Sequence, residues 1–413
     1  MDAIVARRGV VVTGIGIVCP LGASADDLWQ GLAAGRSGIG PVTRFDPSRF
    51  KSRLAGEVDE AALSAAPGPL HFEIRRMSAF VRYAVFAADR AIEDSGLEPA
   101  ADGGGVCLGV SMGGLPNIEA GVLTQERRGV HKTSPFLIPS LIPSMATSMI
   151  ALRHGIGQEQ VTITGACASG CQALGHALRE IRSGARTWMI AGGSEAVITP
   201  ITYSGLQAMG ALSRSEDPQR APRPFDRDRD GLIVGEAAAV FVLEDRAHAE
   251  GRGAVIYGEL AGYAANSGRE DITGISASQA AACMNGAIAD AGLTAGDVDC
   301  VFAQASGMVQ GDAAELEAVR LVTADARRRP VVTSIKGNTG YTFGANGPVN
   351  LAAALMALRH QVVPATLHLE KTDPSFVDVD IAREPRPTEV NRCVVNAFGF
   401  GGIKTSLIVS RAK

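Results

Sequence analysis

Aromatic side chains are scarce in this sequence, at 5% of 413 residues. A core so poor in rings must pack through small side chains and close backbone approaches, and the 49 glycines are spread along the chain in keeping with that. An excess of one charge sign is also missing. The net charge of −4 argues against a nucleic-acid binder that works by bulk phosphate neutralisation. Long apolar runs are absent, so no stretch is expected to span a bilayer. The cysteines do not pair by spacing. They stand at Cys19, Cys107, Cys167, Cys171, Cys283, Cys300 and Cys393, an odd and scattered set with apolar neighbours, which excludes a disulfide framework. Cys167 and Cys171 are four apart with no second pair near them, which speaks against zinc. The first residues carry two arginines before an apolar run, but glycines interrupt the run and no small-residue cleavage site follows. They read as a first buried strand. A soluble, reducing, cytoplasmic setting is expected.

Hydrophobic residues at 46% against 20% charged ones allow a large packed core. Short apolar runs mark strands at Val10–Val12, Val106–Val110, Val161–Ile163, Met189–Ala191, Ala238–Leu243, Val255–Leu260, Cys300–Ala303, Val331–Thr333, Arg392–Asn396 and Ser406–Val409. Helical patterns fall between several of them, as in layered α/β proteins. Asp26–Ala34 is one, with Ser24 placed to cap it, and Met77–Ser95 is another, closed by Gly96. A weak internal echo links two segments. Val161–Cys167 and Val332–Gly340 both read as a strand and a Gly-containing turn, and each is followed by a helix. Two similar halves would bring both turns to one seam, although any α/β protein offers look-alikes. The polar stretch Ser213–Asp230 reads as an ordered loop rather than a linker.

Cys167 is the first chemical candidate. A strand is expected to end at Thr164, Gly165 permits a sharp turn, and a helix is expected to begin near Cys167. A thiol at a helix N-terminus feels the positive end of the macrodipole, which favours thiolate. Strand, turn and helix together also display a nucleophile at a sheet end. A lone apolar cysteine is more often structural, but Gly165, Ala166, Ala168, Ser169 and Gly170 leave room for a substrate. Near the C-terminus, Asn396–Lys404 alternates Gly and Phe and is either a plain turn between strands or a source of an oxyanion N–H and an aromatic gate. Its spacing does not fit a phosphate loop. Asp226–Gly231 matches half of a calcium loop, but the closing position 237 is Ala and two arginines oppose a cation. Lys336 and Glu315 are read either as a buried ion pair or as surface charges. None of the histidines, including His71, lies in a Gly-rich turn after a strand, and none is assigned to catalysis.

These residues add up to a resemblance. In order along the chain stand Val11-Val-Thr-Gly-Ile-Gly-Ile-Val, Arg76-Met-Ser-Ala-Phe, Gly165-Ala-Cys-Ala-Ser-Gly, Ala191-Gly-Gly-Ser-Glu, Arg223-Pro-Phe-Asp-Arg-Asp-Arg-Asp-Gly, Ser334-Ile-Lys-Gly-Asn-Thr-Gly and Asn396-Ala-Phe-Gly-Phe-Gly-Gly. Over nearly its whole length the sequence resembles the elongating β-ketoacyl-(acyl-carrier-protein) synthases and their polyketide relatives. The resemblance implies a thiolase-like α/β fold of duplicated βαβαβαββ halves in a five-layer αβαβα sandwich, with halves at 1–254 and 255–413. It implies an acyl carrier protein as partner, substrate presented on its phosphopantetheine arm, no tightly bound cofactor or metal, and a dimer. It places the acyl nucleophile at Cys167, the family lysine at Lys336, that lysine's acidic partner at Glu315, and the gate and oxyanion amide at Phe400. Arg75, Arg76 and Arg214 are candidates for docking the acidic carrier.

The family's two histidines are replaced. Gln304 stands at the first position, in Ala303-Gln-Ala-Ser-Gly-Met, and Tyr341 at the second, in Lys336-Gly-Asn-Thr-Gly-Tyr. The acidic residue expected nine positions further on is Asn350. A carboxylate leaves malonyl only if oriented donors stabilise the enolate, and losing one such donor costs about 10²–10³ in rate. Gln also cannot exchange a proton near neutral pH. The substitutions resemble those of the chain-length factor of type II polyketide systems, which pairs with an active ketosynthase, although Cys167 is kept here. The leading expectation is such a partner subunit. A specialised synthase or acyltransferase using Cys167 comes second, and a non-covalent acyl-chain binding module third.

Overall fold

The computed structural model describes residues 7–65, 74, 76–99, 103–268 and 272–412. His71 and Arg75 lie outside the described residues. Ten strands form the main sheet system: β1 (Val10–Val18), β2 (Gly105–Gly109), β3 (Glu159–Ile163), β4 (Trp188–Glu195), β5 (Ala237–Asp245), β6 (Gly258–Ser267), β7 (Cys300–Phe302), β8 (Val331–Thr333), β9 (Arg392–Phe398) and β10 (Ile403–Ser410). All ten sequence-expected strands are present, though the sixth starts at Gly258 and not at Val255. Their order is β8-β7-β9-β10-β6-β1-β5-β4-β2-β3.

That order contains a repeat. From β1 outward the first half runs first, fifth, fourth, second, third strand, and from β6 outward the second half runs the same way. The pairing directions match as well. In each half the first three strands of the row are antiparallel and the last two joins are parallel. The halves meet where β1 and β6 pair antiparallel at Val11–Glu259 and Val12–Gly258. The internal echo in the sequence is therefore a structural duplication.

Side-chain alternation sets the layers. Along β5, Ala237, Ala239, Phe241 and Leu243 enter the central cluster, while Ala238, Val240 and Val242 enter an outer one. The first outer layer includes helix α2 (Ala79–Ser95), whose Phe80, Tyr83 and Phe86 are fully buried. Each such side chain contributes on the order of 1.5–3 kcal/mol from burial, before ordering entropy is subtracted. Gly96 closes α2 in the left-handed conformation, as its position suggested. The opposite outer layer holds α5 (Ala277–Asp290) and α6 (Val309–Val322). Between the sheets lie α4 (Ser169–Arg182) and α7 (Asn346–His360). Residues 346–358 of α7 are all buried, as expected of a helix apolar on every side. Helices, sheet, helices, sheet and helices make five layers. A peripheral helix, α1 (Ala25–Ala33), is capped by Ser24, which accepts the Asp27 N–H at 3.0 Å. Among the described residues no helix is long and apolar enough to cross a membrane.

Candidate active site

The two central helices bring the site together. α4 follows β3 and α7 follows β8, so each begins beyond the third strand of its half. Their first turns touch through glycine. A Cβ on Gly170 would sit 2.4 Å from Pro348 Cγ and 2.6 Å from the Gly344 carbonyl. One on Gly347 would sit 2.2 Å from Cys171 Sγ. Only the bare backbone lets the turns before the two helices, one with Cys167 and one with Tyr341, close on each other.

The strand before Cys167 ends at Ile163 and α4 starts at Ser169, so the thiol lies just ahead of the helix and not on its first turn. Ala166 is held in the left-handed region at φ 49°, a costly conformation for a residue with a Cβ. Ser169 holds the turn by accepting the Gly165 N–H at 2.9 Å and donating to the Ala166 carbonyl. Cys167 is 6% exposed and lines a cavity of about 370 Å³. Gln304, Tyr341, Phe343 and Phe400 line the same cavity. The expectation of a thiolate is corrected here. Burial pushes the Cys167 thiol up to about 11, against the lowering pull of Tyr341 and of the Phe400 N–H. Loss of hydration outweighs the helix end.

Gln304 follows β7, and its side chain is tied at both ends. Its carbonyl accepts from Asn346 Nδ2 at 2.5 Å and from the Phe398 N–H at 3.2 Å. Its amide nitrogen donates to the Tyr341 hydroxyl. Tyr341 packs with Cys167 in one buried cluster, and burial together with that sulfur raises its own ionisation well above the ordinary value. The Tyr341 ring meets Phe343 edge to face, with centroids 5.1 Å apart. Phe343 is a second non-glycine residue in the left-handed region, at φ 45°.

Lys336 and Glu315 do not form the expected ion pair. The Lys336 ammonium donates to Asn350 Oδ1 at 2.9 Å and to the Ala303 carbonyl at 3.3 Å. Glu315 accepts the N–H groups of Gln304 and Ala305 at 2.9 and 2.8 Å, and Asn396 Nδ2 at 2.9 Å. Its carboxylate thus holds the Gln304 loop and the strand before Phe400 in register. Burial pushes Lys336 down to about 7 and Glu315 up to about 7. The physical reason for the correction is that backbone donors already fill both carboxylate oxygens.

Other sequence candidates fall away from the cavity. Asp226 accepts the backbone N–H groups of Asp228, Glu370 and Lys371. The calcium-like segment is thus a loop staple. Arg214 is exposed, and its N–H is held by Asp230. Arg76 is also exposed and lies over the Phe136 ring at 5.0 Å. Neither lines the cavity. Sequence reasoning missed Asn346, Phe343 and Glu195. Glu195 is buried and accepts the N–H groups of Ser111, Met112, Gly113 and Gly344, which joins loops from the two halves. Asn346 could have been noticed as a polar residue opening a helix whose middle, Leu351–Leu358, is wholly apolar.

Sequence profiles match in two pieces. Residues 7–249 match the β-ketoacyl synthase N-terminal domain and residues 257–370 its C-terminal domain. The chain is 36% identical to 3-oxoacyl-[acyl-carrier-protein] synthase 2 of Coxiella burnetii, over 98% of this chain and 99% of that one. It is 35% identical to a putative polyketide β-ketoacyl synthase 1 of Streptomyces halstedii, over 98% of each. Its backbone superimposes on the ishigamide ketosynthase/chain length factor with a TM-score of 0.92 and 29% identity, covering 99% of this chain and 100% of that one.

Proposed function

Because this chain belongs to the β-ketoacyl synthase family, of fatty acid and polyketide biosynthesis, we propose that it is a non-condensing, chain-length-factor-like subunit that pairs with an active ketosynthase. One observation carries this reading: Gln304 and Tyr341, at the positions of the family histidines, are hydrogen-bonded to each other. With its carbonyl held by two donors and one amide proton on Tyr341, Gln304 keeps at most one proton for the cavity. Tyr341 accepts from Gln304 and has a single proton left for the cavity it shares with Cys167. Two free donors for a developing enolate are not there.

The surface supports a partner. β3 is a half-exposed edge strand, and helix α3 (Leu115–Arg128), which packs against the turn Val130–Lys132 and the helix Leu137–Leu141, buries no residue. Ile118, Val122, Val130 and Ile138 stand exposed in this region, an apolar patch of the kind an interface covers. In this reading the half at 1–254 supplies Cys167 and the half at 255–413 supplies the groups around it. The repeated strand order supports that division. An acyl carrier protein presents substrate on its phosphopantetheine arm, and the chain needs no tightly bound cofactor. The test is condensation by the purified chain alone. Acyl- and malonyl-carrier protein should give no product above background, and a rate equal to that of a Cys-His-His synthase overturns the reading.

A second reading has its own support. Cys167 and Phe400 line one cavity, which suits acceptance of an acyl group on the sulfur as a thioester. Intact mass after exposure to acyl-carrier protein should show an adduct that Cys167→Ala abolishes. Chain binding that is unchanged in Cys167→Ala and leaves no adduct would count against it.

A further inference from the structure

The hydrogen bonds around Cys167 run in one direction. The direction is set by a donor that cannot rotate. The Phe398 N–H points at the Gln304 side-chain carbonyl, at 3.2 Å. A flipped Gln304 would set N–H against N–H there, so its oxygen must face Phe398. Asn346 Nδ2 then reinforces the same orientation, at 2.5 Å from that oxygen. It does so at a cost, because Asn346 Oδ1 is buried with no hydrogen-bond partner. Turning the Asn346 amide would place two acceptors face to face. With the Gln304 oxygen fixed, its nitrogen faces Tyr341, and the Tyr341 oxygen accepts. The one phenolic proton is left for the cavity that Tyr341 shares with Cys167.

We propose that Asn346, together with the Phe398 N–H, is a positioning residue that acts through Gln304 and Tyr341 to aim the tyrosine hydroxyl as a donor at Cys167 Sγ. The site thereby supplies a donor to the sulfur when it carries negative charge. That happens as Cys167 loses its proton to attack a thioester carbonyl, and again when the acyl–sulfur bond breaks. In the exchange the acyl–sulfur bond of the incoming thioester breaks, a new one forms to Cys167, and the thiol proton ends on the departing thiol. The inference deepens the acyl-acceptor reading. Its test does not require acyl transfer, so either can fail alone.

The test is the pH–rate profile of Cys167 alkylation by iodoacetamide, followed by mass spectrometry of the Cys167 peptide in the full chain. Asn346→Asp keeps the shape but offers only acceptors to Gln304. The carboxylate's repulsion of the Gln304 oxygen at the short contact should outweigh the longer Phe398 bond, so the Gln304 amide should turn, present its oxygen to Tyr341, and draw the phenolic proton away from sulfur. A lost hydrogen bond to a charged group should move the profile up by about one pH unit, which at fixed pH is about tenfold slower alkylation. Tyr341→Phe should give the same displacement, and the double variant no more than either alone. An unmoved profile in Asn346→Asp overturns the proposal. So does a displacement that persists in full on the Tyr341→Phe background, because it would then be a direct charge effect. Gln304→Glu is the second route if Asn346→Asp does not fold. Its carboxylate accepts from Asn346, Phe398 and Tyr341 alike, and the same non-additivity with Tyr341→Phe is expected.

Discussion

The two halves follow one strand order, and both end their third strand at the central seam, but the turns beyond those strands differ in kind. After β3 the chain makes a strained turn at Ala166 and offers a single soft nucleophile position, Cys167. After β8 it offers a run of buried polar groups: Lys336, Tyr341, Asn346 and Asn350. The first turn is held by its own backbone and Ser169. The second is held by side chains that bond to one another and to the Gln304 loop. Duplication thus brings the two turns together, and the side chains beyond β8 set which polar groups the cavity offers.

The comparison breaks most visibly if the seam cannot close. Gly170→Ala would drive a methyl into Pro348 and the Gly344 carbonyl, and backbone cannot yield as a flexible side chain can. A loss of about 3 kcal/mol or more is expected, read from urea denaturation. Gly205→Ala, in the helix Pro200–Ala208 where nothing lies within 4 Å of the added carbon, should instead gain about 0.5–1 kcal/mol. Equal effects at the two sites would show that the seam is not close-packed.

Much of this was legible beforehand, for identifiable reasons. The strands are apolar runs bounded by polar turns, and Gly96 and Ser24 are local signals that need no tertiary context. Cys167 was legible from its turn and Gln304 and Tyr341 from the family resemblance, and the three line one cavity. What could not be read was partner choice. Lys336 and Glu315 are opposite charges in neighbouring motifs, but Glu315 is held by the backbone of the Gln304 loop. The Cys167 thiol was also misjudged. Helix proximity is visible in sequence, whereas burial depends on Tyr341 and Phe343, far along the chain. Asn346 acts through a carbonyl 42 residues away, a contact that no local pattern encodes.

The proposed non-condensing role is sharpened by placing a histidine at each of the two positions. Gln304→His with Tyr341→His should raise malonyl-carrier protein decarboxylation by about a hundredfold or more, since each position regains an oriented donor. Release of carbon dioxide is the measurement. If the unaltered chain already decarboxylates at the rate of the double variant, the loss of the histidines has no consequence here.

Lys336 gives a pH signature. Burial lowers it from 10.5 to about 7, so between those values the unfolded chain holds a proton that the folded chain does not. The folding penalty is full below about pH 7 and lifts as pH rises towards about 10.5. Glu315 and Glu195, both raised to about 7, and the buried thiols, raised from about 9, shift stability the other way over this range. The Lys336 contribution alone should therefore rise by about 2 kcal/mol between roughly pH 7 and 9. It is read as the difference between the unaltered chain and Lys336→Met in paired urea titrations.

The smallest effect tests the same turn from its other side. Asn350→Asp places a carboxylate where the Asn350 carbonyl now accepts from Lys336 at 2.9 Å. Attraction to the ammonium should restore the lysine to its charged form, while the cost of burying the new carboxylate opposes it. The lost bond from Asn350 Nδ2 to the Ala303 carbonyl opposes it further. Net stability near neutral pH should change by less than about 1 kcal/mol, as buried ion pairs commonly do against neutral replacements. The Lys336 contribution between roughly pH 7 and 9 should nevertheless disappear, because Lys336 would then keep its proton in both states. A pH dependence that is the same in the unaltered chain, Asn350→Asp and Lys336→Met would assign it to groups other than Lys336.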